Sequence, residues 1–275
     1  MSRGRPRAVA LPGGIAAARL LVASSVVLVG TTGDVRGDAI GLVHLDGSAA
    51  ALDADYEHSN HRDGLVLLPS ARLTIGEHGF LDGNVAFGWV DQLAHVVLGN
   101  VTAMAGYRAL QSSTSPRLAA IALRVTAPSG ASGGPGGAVM AALAAPRVGD
   151  PEPLLPAVTS IELLADWRWS TDGWWLQLET GAQGRYKPHD PFVPVLRVSI
   201  AGALRLEPWL DVTASFITRS FMLAEDPVED FVHTLALGVV TDLCRSRVAV
   251  RIEVPVDHSA RMDGRFVVGL EVRGL

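Results

Sequence analysis

Apolar and polar residues alternate one by one along much of this chain. In GWWLQLETGAQGRYK (173–187), Trp174, Leu176, Leu178, Ala182 and Tyr186 fall on one parity, and Gln177, Glu179, Gln183, Arg185 and Lys187 on the other. A strand sends successive side chains to opposite faces, so this segment has one apolar and one charged face. Residues 193–206 set Leu196, Val198, Ile200 and Leu204 against Arg197, Ser199 and Arg205; residues 246–257 set Val248, Val250, Ile252 and Val254 against Arg247, Arg251 and Glu253. Residues 158–169 set Ile161, Leu163, Trp167 and Trp169 against Glu162, Asp166 and Arg168. The first segment opposes Leu52, Ala54 and Tyr56 to Asp53, Asp55 and Glu57, and the last opposes Phe266, Val268, Leu270 and Val272 to Arg265, Glu271 and Arg273. This reading predicts twelve strands, at about 49–59, 65–76, 83–90, 100–110, 117–127, 158–169, 174–187, 193–206, 209–222, 231–241, 246–257 and 264–275.

Two architectures use two-faced strands. A soluble sandwich is apolar inside and polar outside; an outer-membrane barrel is the reverse. The polar parity mixes Gly and Ala (Gly181, Ala201, Ala203, Ala249, Gly269) with Arg and Glu, which suits a narrow lumen. Trp167, Trp169, Trp174, Trp175 and Trp209 flank the connections 170–173 and 207–208, while Tyr56, Trp89 and Tyr186 mark other strand ends, as in interfacial aromatic belts. Links after even-numbered strands are short and polar (EHGFLD, QSSTSP, STDG, EP, LCRS). Those after odd-numbered strands include DQLAHVVLG, the stretch 128–157 and MLAEDPVED. An even strand number puts both termini on one side, so the short links read as periplasmic turns and the long ones as external loops. Closure would pair the acids of strand one with the arginines of strand twelve.

Composition narrows the partners. Of the 275 residues 48% are hydrophobic and the mean hydropathy is +0.28, yet no later stretch is long and apolar enough for a membrane-spanning helix. Arg3, Arg5 and Arg7 precede an uncharged run at 20–33 and a small-x-small ending at Gly37 and Ala39, the pattern of a secretory signal peptide over 1–39. That segment holds five arginines and two acids, so residues 40–275 carry 18 basic and 26 acidic residues, net −8. An acidic chain is unsuited to nucleic acid. Lys187 is the only lysine, and Cys244, alone, permits no internal disulfide and no cysteine-built zinc site.

The pattern from about residue 49 onward resembles the bacterial outer-membrane β-barrels. The resemblance implies an all-β, closed antiparallel up-and-down transmembrane barrel at 40–275, contacts with outer-membrane lipid and the barrel-assembly machinery, and a passive channel or envelope role. That class commonly ends in an outward aromatic; this chain ends Gly274-Leu275. Candidate lumen and selectivity residues are Asp53, Asp55, Glu57, Arg72, Arg108, Arg124, Glu179, Arg185, Arg197, Arg205, Arg247, Arg251, Arg265 and Arg273, with Glu162, Asp166, Arg168, Asp211, Arg219, Glu253 and Glu271 on the same parity. They either fill the interior as salt bridges or line a pore for small solutes. Candidate membrane-interface residues are Tyr56, Trp167, Trp169, Trp174, Tyr186 and Trp209.

Other chemistry finds little support. EHSNH (57–61) and DHSA (257–260) juxtapose acid, His and Ser, but His58 and Ser59 are adjacent and would point to opposite faces of a strand, which an acyl-hydrolase dyad cannot use. Glu57, His58, His61, Asp257 and His258 are too loosely spaced for a metal site. No phosphate-binding loop, dinucleotide fingerprint or G-x-S-x-G occurs, and nothing calls for a cofactor. The Gly/Pro/Ala-rich 128–157 contains a candidate short helix, AVMAALAA; it either folds inward as a constriction or lid or extends into solvent, and the need of Met140 and Leu143 for cover favours the first. A secreted soluble β-sandwich binding protein is the competing expectation, and an outer-membrane acyl hydrolase using His58 or His258 the third.

Overall fold

The computed structural model describes residues 49–59, 62–91, 95–110, 117–130, 133–145, 151–222, 231–243, 246–256 and 266–274. Within them, twelve strands form one closed antiparallel barrel: β1 (Ala49–Ser59), β2 (Arg62–Ile75), β3 (Gly79–Val90), β4 (His95–Leu110), β5 (Arg117–Ala127), β6 (Thr159–Ser170), β7 (Trp174–Tyr186), β8 (Val193–Glu207), β9 (Leu210–Phe221), β10 (Phe231–Leu243), β11 (Ser246–Pro255) and β12 (Phe266–Gly274). Each strand pairs with its sequence neighbours, and β12 returns to β1. Closure leaves no unpaired edge. The proposed signal segment 1–39 and the 57–61/257–260 echo beyond Ser59 lie outside the described residues.

A single closed sheet excludes the sandwich. Leu176, Val198 and Ile252 are exposed on the outer surface, and Arg197 and Glu179 are buried inside. The parities of β1, β6 to β9, β11 and β12 face as expected. Apolar side chains lie exposed on the outer face of every strand from β2 to β11, including Leu73, Leu81, Tyr107, Ile121, Leu163, Leu204, Val212, Leu237 and Val250.

Two connections differ from expectation. The β2–β3 link is only the turn 76–78, with Gly76 at φ 62°, a left-handed value natural to glycine. Phe80 and Asp82, expected in the link, point inward. The long β3–β4 loop shrinks to 91–94, because β4 begins at His95. Pairing shifts between Val85↔Val101 and Phe87↔Leu98, so Gly99 and Asn100 together oppose Ala86. This β-bulge reverses the alternation, and the segment before it reads in the wrong phase.

The described parts of the 128–157 connection fold into the barrel. They carry helix α1 (Gly134–Ala144) and a 3₁₀ turn (Glu152–Leu154). An eleven-residue helix is marginal alone and needs tertiary cover. Val139, Met140 and Leu143 of α1, with Leu154, pack on the inward residues Val66, Leu68, Ala86, Val90 and Val97 of β2, β3 and β4.

Candidate functional site: the narrowed lumen

The inner wall is divided by chemistry. From β2 to β4, towards the end where the chain leaves β5, it is apolar and receives α1. Farther along, Phe80, Met104, Ala120, Ala122 and Leu164 form a second apolar cluster. The interior is therefore not polar throughout, a departure from the expected charged lumen. Covering by α1 explains the first patch: a wall that faces protein rather than water can be aliphatic.

Glycines shape the seat for the helix. A Cβ at Gly64 would lie 2.3 Å from Leu143 Cδ2, and one at Gly88 would lie 2.3 Å from Leu143 Cδ1. The two residues sit on adjoining strands and hold Leu143 between them. The bulge anchors the rest. Asn100 Nδ2 donates to the carbonyls of Glu152 and Leu155, each at 2.8 Å, and Ser129 Oγ donates to the Gly99 carbonyl at 3.1 Å.

Opposite α1, the 3₁₀ turn reaches β7 and β9. Glu152 is buried and accepts from Arg185 Nε at 2.9 Å and from Arg219 Nη1 at 3.2 Å, with further contacts to the Nη2 of both. Arg219 Nη2 also donates to Gln183 Oε1 at 2.7 Å, and the Arg185 guanidinium lies 5.2 Å from the Phe221 ring centroid. Burial alone would raise the Glu152 carboxyl. The charges of Arg219 and Arg185 outweigh it and hold the group well below the ordinary carboxylate range.

Two further networks join charges of the wall strands. On β5 to β8, Arg124 pairs with Glu162, Arg197 pairs with Glu179 and lies 3.8 Å from Glu162, and Gln177 donates to Asp166 at 2.8 Å. This network is sealed: the Arg197 and Glu179 side chains are 1% and 2% exposed. At the seam, Arg251 donates to Asp55 Oδ1 at 2.9 Å, to Asp53 Oδ1 at 3.4 Å and to Glu253 Oε1 at 2.7 Å. Here Asp53 and Glu253 keep 24% and 22% of their side-chain surface, so this wall is the wetter one.

At the seam, Asp53 sits opposite Glu271, Asp55 opposite Gly269, and Arg273 opposite Ala51. Arg251, one strand farther on, supplies counter-charge to Asp53 and Asp55. It reaches Asp55 across Gly269, where a Cβ would lie 2.6 Å from Asp55 Oδ1 and 2.7 Å from Arg251 Cζ. Glu57 is buried and inward; Arg265 lies outside the described residues.

A further set lines the turn end of the lumen. Arg72 donates to Asp82 at 2.9 Å and 3.1 Å and stacks 4.8 Å from Phe80; Arg108 approaches the same ring at 5.9 Å. Arg205 pairs with Asp211 at 3.2 Å and Arg247 with Asp242 at 2.8 Å. Trp175, counted by sequence among the rim aromatics, instead points inward with Arg168 4.8 Å over its ring, because its parity is that of Gln177. Trp167, Trp174 and Trp209 are exposed outside at the turn end and Trp169 half-exposed; Tyr56 and Tyr186 are exposed at the other end.

Sequence reading missed Glu152 altogether. Its signal was slight, an acid between two prolines (DPEPLLP) in a Gly/Pro-rich link. Arg219 was legible by parity but had no visible partner.

No family model and no curated protein matches the chain. Solved structures do. An outer membrane channel from Pseudomonas putida F1 aligns over 87% of this chain and 99% of its own, with TM-score 0.58 and 11% identity. The NanC porin aligns over 82% and 100%, with TM-score 0.56 and 8% identity. The KdgM porin, in complex with disordered oligogalacturonate, aligns over 82% and 98%, with TM-score 0.51 and 11% identity. At such identities the likeness is one of architecture, and the architecture is that of the bacterial outer-membrane β-barrel channels.

Proposed function

We propose that the chain is an outer-membrane channel for small solutes, narrowed by its own β5–β6 connection. The observation that carries this is the inversion of a soluble protein: one closed sheet, ion-paired within and apolar around its outside. Monomers in water rarely tolerate apolar patches beyond a few hundred Å², and this surface encircles the barrel. An eleven-residue strand tilted by about 40° rises roughly 28 Å, enough for the hydrocarbon layer. Exposed Trp167, Trp174 and Trp209 at one end, with Tyr56 and Tyr186 at the other, suit two headgroup levels.

Because α1 occupies the β2–β4 side, the passage runs along β1 and β10 to β12. Asp53, Arg251 and Glu253 line it and are the residues expected to act on permeating ions. Arg197, sealed from water, serves the wall. Residues 1–39 act in export, the barrel-assembly machinery inserts the chain, and lipid covers the outer face. The N-terminus of the protein in the outer-membrane fraction should then be Ile40.

Planar-bilayer recording tests the reading. Conductance is expected, with a reversal potential in a salt gradient that moves in Arg251→Gln and Asp53→Asn and stays put in Arg197→Met. Heat-modifiable, correctly folded protein that never conducts would refute it.

A further inference from the structure

The Glu152 contact is unlike the other ion pairs of the barrel. Within the described lumen those join residues of the wall strands to one another, whereas Glu152 belongs to the connection that enters the lumen. Its backbone is fixed without the carboxylate, by Asn100 holding the carbonyls of Glu152 and Leu155 and by the docked Leu143. The carboxylate is thus a separable contact. On the wall side, the hydrogen bonds of the cradle come from β7 and β9: Arg185, Gln183 and Arg219, backed by Phe221. The ladders around it are complete, each strand pairing on both flanks, so the barrel does not need Glu152 to close.

Guanidinium groups in a fork match a planar carboxylate, and inside a low-dielectric wall the match gains strength. The cradle holds its two arginines on one carboxylate oxygen and Arg219 on the other as well.

We infer that Arg185, Arg219 and Gln183 form a carboxylate-binding site in the lumen, which the chain's own Glu152 fills as an intramolecular stand-in until a free carboxylate replaces it. An incoming carboxylate takes over the guanidinium bonds, and the 3₁₀ turn loses its hold on the β7–β9 wall. No covalent bond changes; one ionic partner is exchanged for another. The site rests on the observed seating of residues 151–155 in the barrel and is measurable whether or not the protein conducts.

The test uses acetate, which supplies what Glu152→Ala removes, on the full-length protein folded in detergent. In Glu152→Ala, acetate should raise the thermal midpoint saturably, chloride at equal ionic strength should not, and the added change Arg219→Met should abolish the effect. In the unmodified protein, acetate should speed exchange of the Glu152, Leu154 and Leu155 amides and should need at least a tenfold higher concentration than Glu152→Ala does, since it must displace Glu152. Equal responses of Glu152→Ala to acetate and chloride would overturn the site, and phosphate acting as well as acetate would overturn its assignment to carboxylates. If acetate rescues but bilayers never conduct, the site stands and the channel reading falls.

Discussion

Converting both Gly64 and Gly88 to alanine should undock α1 from the wall. Each new Cβ would fall 2.3 Å from a different δ-carbon of Leu143, so no single rotation of that side chain relieves both clashes. Leu143 is 2% exposed and is the knob of the helix. Full burial of a leucine contributes about 1.5–3 kcal/mol, and expelling it removes a comparable amount from docking. That corresponds to a loss of roughly 10- to 150-fold in the docked-to-undocked ratio. Hydrogen exchange of the folded barrel reads this directly. Amides of 137–144 should lose protection by that factor, while those of β6 to β9 hold theirs as an internal control. Adding Leu143→Ala to the double variant should restore part of the protection, because the clash disappears with the methyls. Unchanged protection of α1 in the double variant would refute the reasoning, since the helix would then be held by something other than this notch.

Three other outcomes follow from the same geometry. Replacing Arg251 by Met should lower barrel stability by about 3–5 kcal/mol in urea titrations, as expected when a buried carboxylate such as Asp55 loses its cation; pairing it with Asp55→Asn should recover most of the loss. Gly269→Val should resemble Arg251→Met, because its side chain would fill the space through which Arg251 reaches Asp55. The Glu152 carboxyl is depressed in the folded barrel, so its contribution is complete above the unfolded value and is lost as pH falls through the lower, folded one. Protection of the Glu152, Leu154 and Leu155 amides should therefore stay flat from neutrality down to about pH 4.5, fall progressively in stronger acid, and lose this dependence in Glu152→Gln.

How legible each part was in the sequence depended on whether a strand's two faces met different media. In β8, Leu196, Val198 and Ile200 face out and Arg197 and Ser199 face in, so the alternation was clean. In β2, Leu65 and Leu67 face out while Val66 and Leu68 face in under α1, and no parity is visible. The bulge at Gly99–Asn100 concealed the start of β4 for a different reason, as one extra residue inverts every face before it. The seam acids were read on the right face, but the reach of Arg251 to them was not. Parity fixes a face, whereas Arg251 reaching Asp55 depends on register and on the missing side chain of Gly269. Trp175 shows the converse: its place beside a turn suggested a rim, and its parity, which points it over Arg168, was the better guide.

The medium around the barrel can be read directly by spin labels at successive positions 196–201 of β8, in a Cys244→Ser background reconstituted into liposomes. Labels at Leu196, Val198 and Ile200 should collide freely with oxygen and little with a water-soluble nickel reagent, and labels at Arg197, Ser199 and Ala201 should be shielded from oxygen. Equal profiles on the two parities, or nickel contact at Val198 and Ile200, would contradict the account.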